Sequence, residues 1–451
     1  MWSDLLNRQE LINFMPNPSL PSSDTPLYAY PESQLYPTGV NLAGLMDIPP
    51  SRMFLIKKSL TAYQQTHPGS PTYDASQGDG GASLPGVPPE ILLRAAEMQV
   101  KQGTAYDMPY GTDAYRKTVV ETYWQADSST GLGPKNVLAA AGGRDALLKA
   151  FQAMLALGHG CQGDAVIVSR VPWISYNWGT YGVGANTLLA PGRPEDGWAY
   201  TEDGIRACVE YAARTGRHAA GILITSPDNP TGRTLTPERQ AALAKAALDA
   251  GVAFVLFDWI YHYITDEQPI DINAVYAHFT PAERERIMVL DGLTKSLGGS
   301  NIRNAHLIAS EKVINFTVAR ASHGVIPSFY SLAVAMAAYE MGFDKACRTI
   351  NEPTNASRKI LQAFLSAHKF RYILGKGYYA FLDVGEWVDK AGWADTEPMG
   401  EYLAREHGLA AVPGIYFSPD GGKWLRFSYA QPPEITKAAA ERLLEGLASI
   451  Q

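Results

Sequence analysis

Gly221-Ile222-Leu223-Ile224-Thr225 is followed by a helical window over Pro237–Ala250 and then by a second apolar run, Val252-Ala253-Phe254-Val255-Leu256-Phe257. Short apolar runs bounded by turn residues read as strands buried on both faces, and a helix between two of them makes them parallel neighbours. Outward from this unit the same grammar repeats. Apolar runs recur at Val137–Ala141, Ala165–Ser169, Ile287–Leu290 and Ala305–Ala309, with helical windows at Asp145–Leu157 and Glu202–Thr215. Strand, helix, strand, repeated, predicts an α/β fold with a mostly parallel sheet and helices on both faces. Beyond Ser328 the pattern changes to long helices (Ser328–Met341, Asp344–His368), strands at Tyr378–Val384 and Trp424–Tyr429, and a last helix from Pro433. The expected organisation is an N-terminal arm and the start of a small domain over 1–87, a large domain over 88–327 and a small α+β domain over 328–451.

The 451 residues suffice for two lobes around one site. Charged residues make up 18%, below the usual ~25%, which leaves neutral surface for an oligomer contact. Lys+Arg 38 against Asp+Glu 45 gives −7 with no basic block, so a nucleic-acid partner is not expected. Cys161, Cys208 and Cys347 form no C-x-x-C pair and are too few for a disulfide framework, which predicts a reducing, cytoplasmic setting. Residues 1–15 lack a signal-peptide pattern, and the most apolar stretch, Ala250–Phe257, is far short of the ~18 residues of a membrane span. A soluble, unprocessed chain is the expectation. Residues 1–50 hold eight prolines and five acids, with Trp2, Phe14, Tyr28, Tyr30 and Tyr36 as aromatic anchors for an arm lying against the body.

In an open parallel sheet, ligands bind beyond the carboxyl ends of the strands. Three such ends carry chemistry: Ser226-Pro227-Asp228-Asn229-Pro230-Thr231-Gly232, Asp258-Trp259-Ile260-Tyr261, and Asp291-Gly292-Leu293-Thr294-Lys295. An amide, a carboxylate with a phenol, and a lysine are thus predicted to converge on one rim. Singly they are a turn, a helix cap and a solvated lysine; it is their order and common placement that point to a site.

With these residues the chain resembles the pyridoxal-phosphate enzymes of the aspartate aminotransferase fold (fold type I), the class I and II aminotransferases, over roughly residues 75–440. The densest match is Lys295-Ser296-Leu297-Gly298-Gly299-Ser300-Asn301-Ile302-Arg303, with an arginine eight residues after the lysine. The resemblance implies that Lys295 forms the aldimine with pyridoxal 5'-phosphate and shuttles the proton at Cα, a role that needs a depressed pKa. It implies that Asp258 faces the pyridine nitrogen, that Asn229 and Tyr261 donate to the ring's phenolic oxygen, and that Trp173, in Val171-Pro172-Trp173-Ile174-Ser175-Tyr176, stacks on the ring. Gly142, Gly143 and Arg144 match the phosphate cup at a helix start, with Arg303 as a further phosphate ligand. Tyr106, in Tyr106-Asp107-Met108-Pro109-Tyr110-Gly111, matches a residue that crosses to the neighbouring subunit's phosphate, which implies a homodimer with shared sites. Arg426, in Trp424-Leu425-Arg426-Phe427-Ser428, matches the arginine that grips the substrate α-carboxylate, and Gly78 the glycine beside the substrate, where Asn229 and Trp173 also lie.

The implied activity is ping-pong transfer of an amino group from an L-amino acid to a 2-oxo acid. The same residues serve a C–S or β-lyase, a decarboxylase or an oxidase, and an aminotransferase-like effector-binding regulator is the remote alternative. Trp259, Ser226, Gly292 and Ala305 depart from common family residues. Gly158-His159-Gly160-Cys161-Gln162-Gly163 contains G-x-G-x-x-G but precedes its strand, so it reads as a helix-to-strand loop and not a dinucleotide fingerprint. His159, His306 and His323 have no i, i+4 or C-x-x-C partner, and no metal site is expected.

Overall fold

The computed structural model describes residues 24–29, 31, 32, 35 and 52–450. Its larger sheet has eight strands in the order Leu27–Tyr28, Asn186–Leu189, Ala165–Val168, Ala219–Thr225, Phe254–Asp258, Ile287–Gly292, Ala305–Ile308, Val137–Ala140. The pairings from Asn186–Leu189 through Ile287–Gly292 are parallel, while Leu27–Tyr28 and Ala305–Ile308 run antiparallel to their neighbours.

Helices cover both faces, and this is why the strands are uninterrupted apolar runs. Ile222, Ile224, Val255, Phe257, Ile287 and Val289 enter one core with the helices Glu202–Arg214 and Pro237–Ala250. The alternate residues Leu223, Leu256, Met288 and Leu290 enter a second core with Gly143–Leu157 and Glu311–Ala321. Successive strand side chains point to opposite faces, so a strand covered twice must be apolar at every position.

The C-terminal part forms a four-stranded antiparallel sheet, Tyr372–Leu374, Tyr379–Asp383, Trp424–Ser428 and Val412–Pro413, packed on the helices Arg348–Ala367, Thr396–His407 and Pro433–Ala448. Residues before the large sheet join it: Met53–Thr66 packs on Thr396–His407, and Tyr73–Asp74 pairs with Leu409–Ala410. The helix Phe329–Met341, which the sequence groups with this part, instead packs on Pro89–Gln102 inside the large-sheet core.

Two other details differ from expectation. The strand Asn186–Leu189 has no apolar run to mark it, since its first two residues, Asn186 and Thr187, are polar. The window Asp344–His368 is two helices, Phe343–Ala346 and Arg348–Ala367, broken at Cys347. The arm contributes an edge strand in which Tyr28 is buried, its hydroxyl 3.1 Å from Thr215 Oγ1; this caps an otherwise open sheet edge. The other expected anchors, Trp2, Phe14, Tyr30 and Tyr36, lie outside the described residues. Among the described residues no helix is long and apolar enough to cross a membrane. Gly158–Gly163 links a helix to a strand, with Gly160 at φ +72° and Gly163 at φ +85°.

Candidate active site

The three chemically marked strand ends are brought side by side. Thr225 is in register with Asp258, and Asp258 with Leu290, so the loop carrying Asn229, the carboxylate Asp258 and the turn to Lys295 share one rim. Gly292 makes the last turn possible: a Cβ there would meet Asn304 O at 2.6 Å and Ala305 Cα at 2.7 Å. Gly292 and Ala305 are register partners, so these two departures from the family pattern are one packing solution.

Lys295 lies in the short helix Leu293–Ser296, and its Nζ donates to Gly78 O. Its Nζ is 5.6 Å from the Tyr261 ring centroid and 5.9 Å from that of Tyr378. Desolvation holds the ammonium's pKa below its ordinary value, against the opposing pull of Tyr379 and Asp79. Gly78 is constrained by the same contact, since a Cβ would collide with the Tyr379 hydroxyl.

Asp258 is 2% exposed at the end of its strand. Its Oδ2 accepts from the Tyr176 hydroxyl at 2.7 Å and its Oδ1 from Ile260 N at 3.2 Å. Burial pushes its pKa up to about 6, with the Tyr176 hydrogen bond opposing the shift. Trp259 is fully buried, stacks on Phe257 at 5.2 Å and donates to Gln240 Oε1 at 2.8 Å. Ser226 Oγ accepts from Leu235 N at 2.9 Å and staples the Asn229 loop.

Arg426 is 1% exposed. Its Nη1 donates to Asn229 Oδ1 at 2.9 Å and its Nη2 to Ser76 O at 2.7 Å, its guanidinium lies 4.2 Å from the Tyr379 ring centroid, and its buried Nε has no partner. No carboxylate among the described residues pairs with it. A buried cation without a counter-ion is costly, so the site is complementary to an incoming carboxylate. Since Asn229 accepts through Oδ1, its amide N–H groups remain to donate.

A second anion cradle forms where Gly143–Leu157 begins. Gly142, at φ +90°, has no Cβ because one would strike the Arg303 guanidinium. Arg303 donates to Ser300 O at 2.7 Å and to Ala141 O at 3.1 Å. Desolvation and then the Arg303 charge lower the pKa of Arg144, whose guanidinium sits 5.7 Å from the half-buried Trp173 ring. Two guanidiniums beside a helix N-terminus, neither paired with an acid among the described residues, make an anion site.

Tyr261 is buried, with its hydroxyl 3.1 Å from that of Tyr379. Tyr106, in contrast, is 97% exposed and touches nothing at this rim of its own chain. Sequence reasoning missed Tyr176 and Tyr379. Tyr176 follows Trp173, the cap residue of the helix Ile174–Gly182, by three residues and meets its ring edge-on at 5.4 Å, and that short interval was a usable signal. Tyr379 had none, because only the pairing of Tyr379–Asp383 with Trp424–Ser428 sets it against Arg426.

The chain's family and fold are shared with known proteins. The family model for aminotransferase class I and II matches residues 75–445. The chain is 24% identical over 359 residues to an aspartate aminotransferase of Bacillus sp. (strain YM-2), covering 79% of this chain and 87% of that one. It is 26% identical to the aspartate/prephenate aminotransferase of Thermus thermophilus, covering 78% and 86%. Among solved structures, an aminotransferase from Mycobacterium tuberculosis superposes with TM-score 0.77 at 20% identity, covering 91% and 100%, and the Thermus thermophilus aspartate aminotransferase with maleate with 0.73 at 23%, covering 88% and 97%.

Proposed function

This chain belongs to the class I and II aminotransferases and transfers amino groups, and we propose that it does so with pyridoxal 5'-phosphate, between an L-amino acid and a 2-oxo acid. The observation that carries the cofactor assignment is the acid-free pair Arg144 and Arg303 beside Gly142, a cradle for a dianion on the same rim as a desolvated carboxylate and a lysine of lowered pKa.

Arg303, Arg144 and the free N–H groups after Gly142 would hold the phosphate. Trp173 would lie against the ring, Asn229 and Tyr261 would donate to its phenolic oxygen, and Asp258, held in place by Tyr176, would keep the ring nitrogen protonated. When bound, the cofactor supplies an electron sink for the charge left when Cα loses its proton. Lys295 Nζ would take that proton from Cα and return it to the carbon on the far side of the amino nitrogen, and its desolvation keeps enough of it neutral to serve as base. Arg426 clamps the α-carboxylate of amino acid and oxo acid in turn, which fixes the Cα–H bond relative to Lys295. Stoichiometric formation of glutamate from 2-oxoglutarate tests the reading, and pyruvate with ammonia, carbon dioxide or peroxide as the main product would replace it with lyase, decarboxylase or oxidase chemistry. Loss of the cofactor's absorption band with each of twenty amino acids then identifies the donor.

Arg426→Ala is expected to raise the apparent constants for amino acid and oxo acid together by about 2–5 kcal/mol, the cost of removing one partner of a desolvated ion pair. Arg303→Ala should chiefly loosen the cofactor. Steady-state kinetics with both substrates, beside a cofactor titration, separates the two.

The quaternary proposal is a homodimer with crossed sites, supported by the full exposure of Tyr106. Mixed dimers of Lys295→Ala with a Tyr106 variant should recover about half the wild-type activity per heterodimer, because one site then holds both defects and the other neither. Failure to recover, or a monomer on sedimentation, overturns it. The proposed lobes are a large domain from residue 88 and a small domain that includes the part of 1–87 from Met53. Because Phe329–Met341 packs in the large-sheet core, we set the second boundary near Cys347 and not at 328. A cytoplasmic setting is proposed from the free thiols of Cys161, Cys208 and Cys347.

A further inference from the structure

The parallel strands Ala165–Val168 and Ala219–Thr225 begin side by side, with Ala165 in register with Ala219. The residues just before them, Asp164 and His218, are therefore neighbours at the edge of the sheet opposite the rim that carries Asp258 and Lys295. Asp164 is 2% exposed, and its Oδ1 accepts from His218 N at 2.8 Å and lies 3.2 Å from His218 Nδ1. Its buried Oδ2 has no hydrogen-bond partner. The free thiol of Cys161 comes from the same loop: its sulfur, a carboxylate oxygen of Asp164 and a ring nitrogen of His218 all lie within 4.8 Å of one another. The ring of His159 stacks on that of His218, centroids 4.3 Å apart and 16° from parallel.

A buried carboxylate oxygen with no donor loses its hydration for nothing in return. Cys161 and His218 bring a thiol and an imidazole to the same carboxylate, and a metal cation can engage all three groups at once. We propose that Cys161, Asp164 and His218 form a binding site for a divalent transition-metal ion of the zinc class. Sulfur and imidazole nitrogen select a borderline-soft ion, whereas magnesium and calcium demand oxygen donors throughout. Around tetrahedral zinc, with ligands at about 2.0–2.3 Å, donor atoms stand roughly 3.3–3.8 Å apart, so side-chain adjustments of about 1 Å close the set. The fourth position opens to solvent, since the His218 side chain is 52% exposed. The site lies away from the catalytic rim, and it would tie the end of the helix Gly143–Leu157, which begins at the anion cradle, to the start of Ala219–Thr225.

Tag-free holoenzyme, stripped with a chelator and titrated with cobalt(II), tests this without recourse to activity. One cobalt per chain is expected, with the intense visible d–d bands of a tetrahedral site and a thiolate charge-transfer band, all displaced by one equivalent of zinc. Cys161→Ser should abolish the charge-transfer band, and Cys161→Ser, His218→Ala and Asp164→Asn should each weaken zinc binding at least tenfold in chelator competition. Cys161→Ser and His218→Ala alter accessible side chains, so the test stands even if Asp164→Asn fails to fold. Absence of saturable binding at one ion per chain, absence of the thiolate band, or undiminished zinc affinity in Cys161→Ser and His218→Ala overturns the proposal and leaves Asp164 and His218 as a plain ion pair.

Discussion

Lys295→Ala is expected to lower transamination by at least about four orders of magnitude, because it removes the group that moves the proton at Cα, while the protein still folds and still takes up pyridoxal phosphate through the arginine cradle. In the wild-type enzyme, borohydride reduction followed by peptide mapping should place the cofactor on Lys295. The expectation rests on position: the lysine sits on a four-residue helix just past a strand end, its Nζ faces a backbone carbonyl instead of a carboxylate, and desolvation lowers its pKa. Labelling of another lysine, or unimpaired turnover of Lys295→Ala, would remove the basis for the assigned chemistry.

Asp258→Asn is expected to have effects of opposite sign with and without cofactor. In the cofactor-free protein, burial raises the Asp258 pKa from its ordinary 3.8 to about 6. Between those values the native state holds a proton that the unfolded chain has released, so stability falls as pH rises through this window and the full penalty remains above pH 6. The size is about 3 kcal/mol. Asparagine carries no such penalty, so the thermal midpoint of cofactor-free Asp258→Asn should match wild type near pH 4 and exceed it at pH 8. With cofactor the order reverses: the ionised carboxylate gains a cationic partner, and its loss should weaken cofactor binding by about 1.5–3 kcal/mol and slow Cα deprotonation about 10²–10³-fold or more. A cofactor-free variant less stable than wild type at pH 8 would show that Asp258 is compensated within the protein, and near-normal half-reaction rates would assign the ring nitrogen to another residue.

The α/β class, the two-faced sheet and the rim that carries the candidate site were legible in the amino-acid sequence for a physical reason. A strand covered on both faces writes itself as an unbroken apolar run, and the residue that ends such a run must stand at the rim. Asp258 ends such a run, Asn229 and Lys295 follow their strand ends by four and three residues, and the interval from Lys295 to Arg303 is a local, one-dimensional constraint. Contacts between distant segments leave no such trace. Phe329–Met341 has the composition of any buried helix, so only packing against Pro89–Gln102 assigns it to the large-sheet core. The hydroxyl of Tyr379 reaches Tyr261 across 118 positions, and Arg426 reaches Asn229 across 197. His218 has no short-range metal-binding partner in the sequence, yet parallel pairing sets it beside Asp164, 54 positions earlier, whose Oδ2 has no hydrogen-bond partner. Local sequence thus determined which elements form and which residues end them, because both depend on burial and hydrogen bonding within a few residues. The tertiary structure alone decided which side chains from different elements meet, because strand order and register are properties of the whole chain.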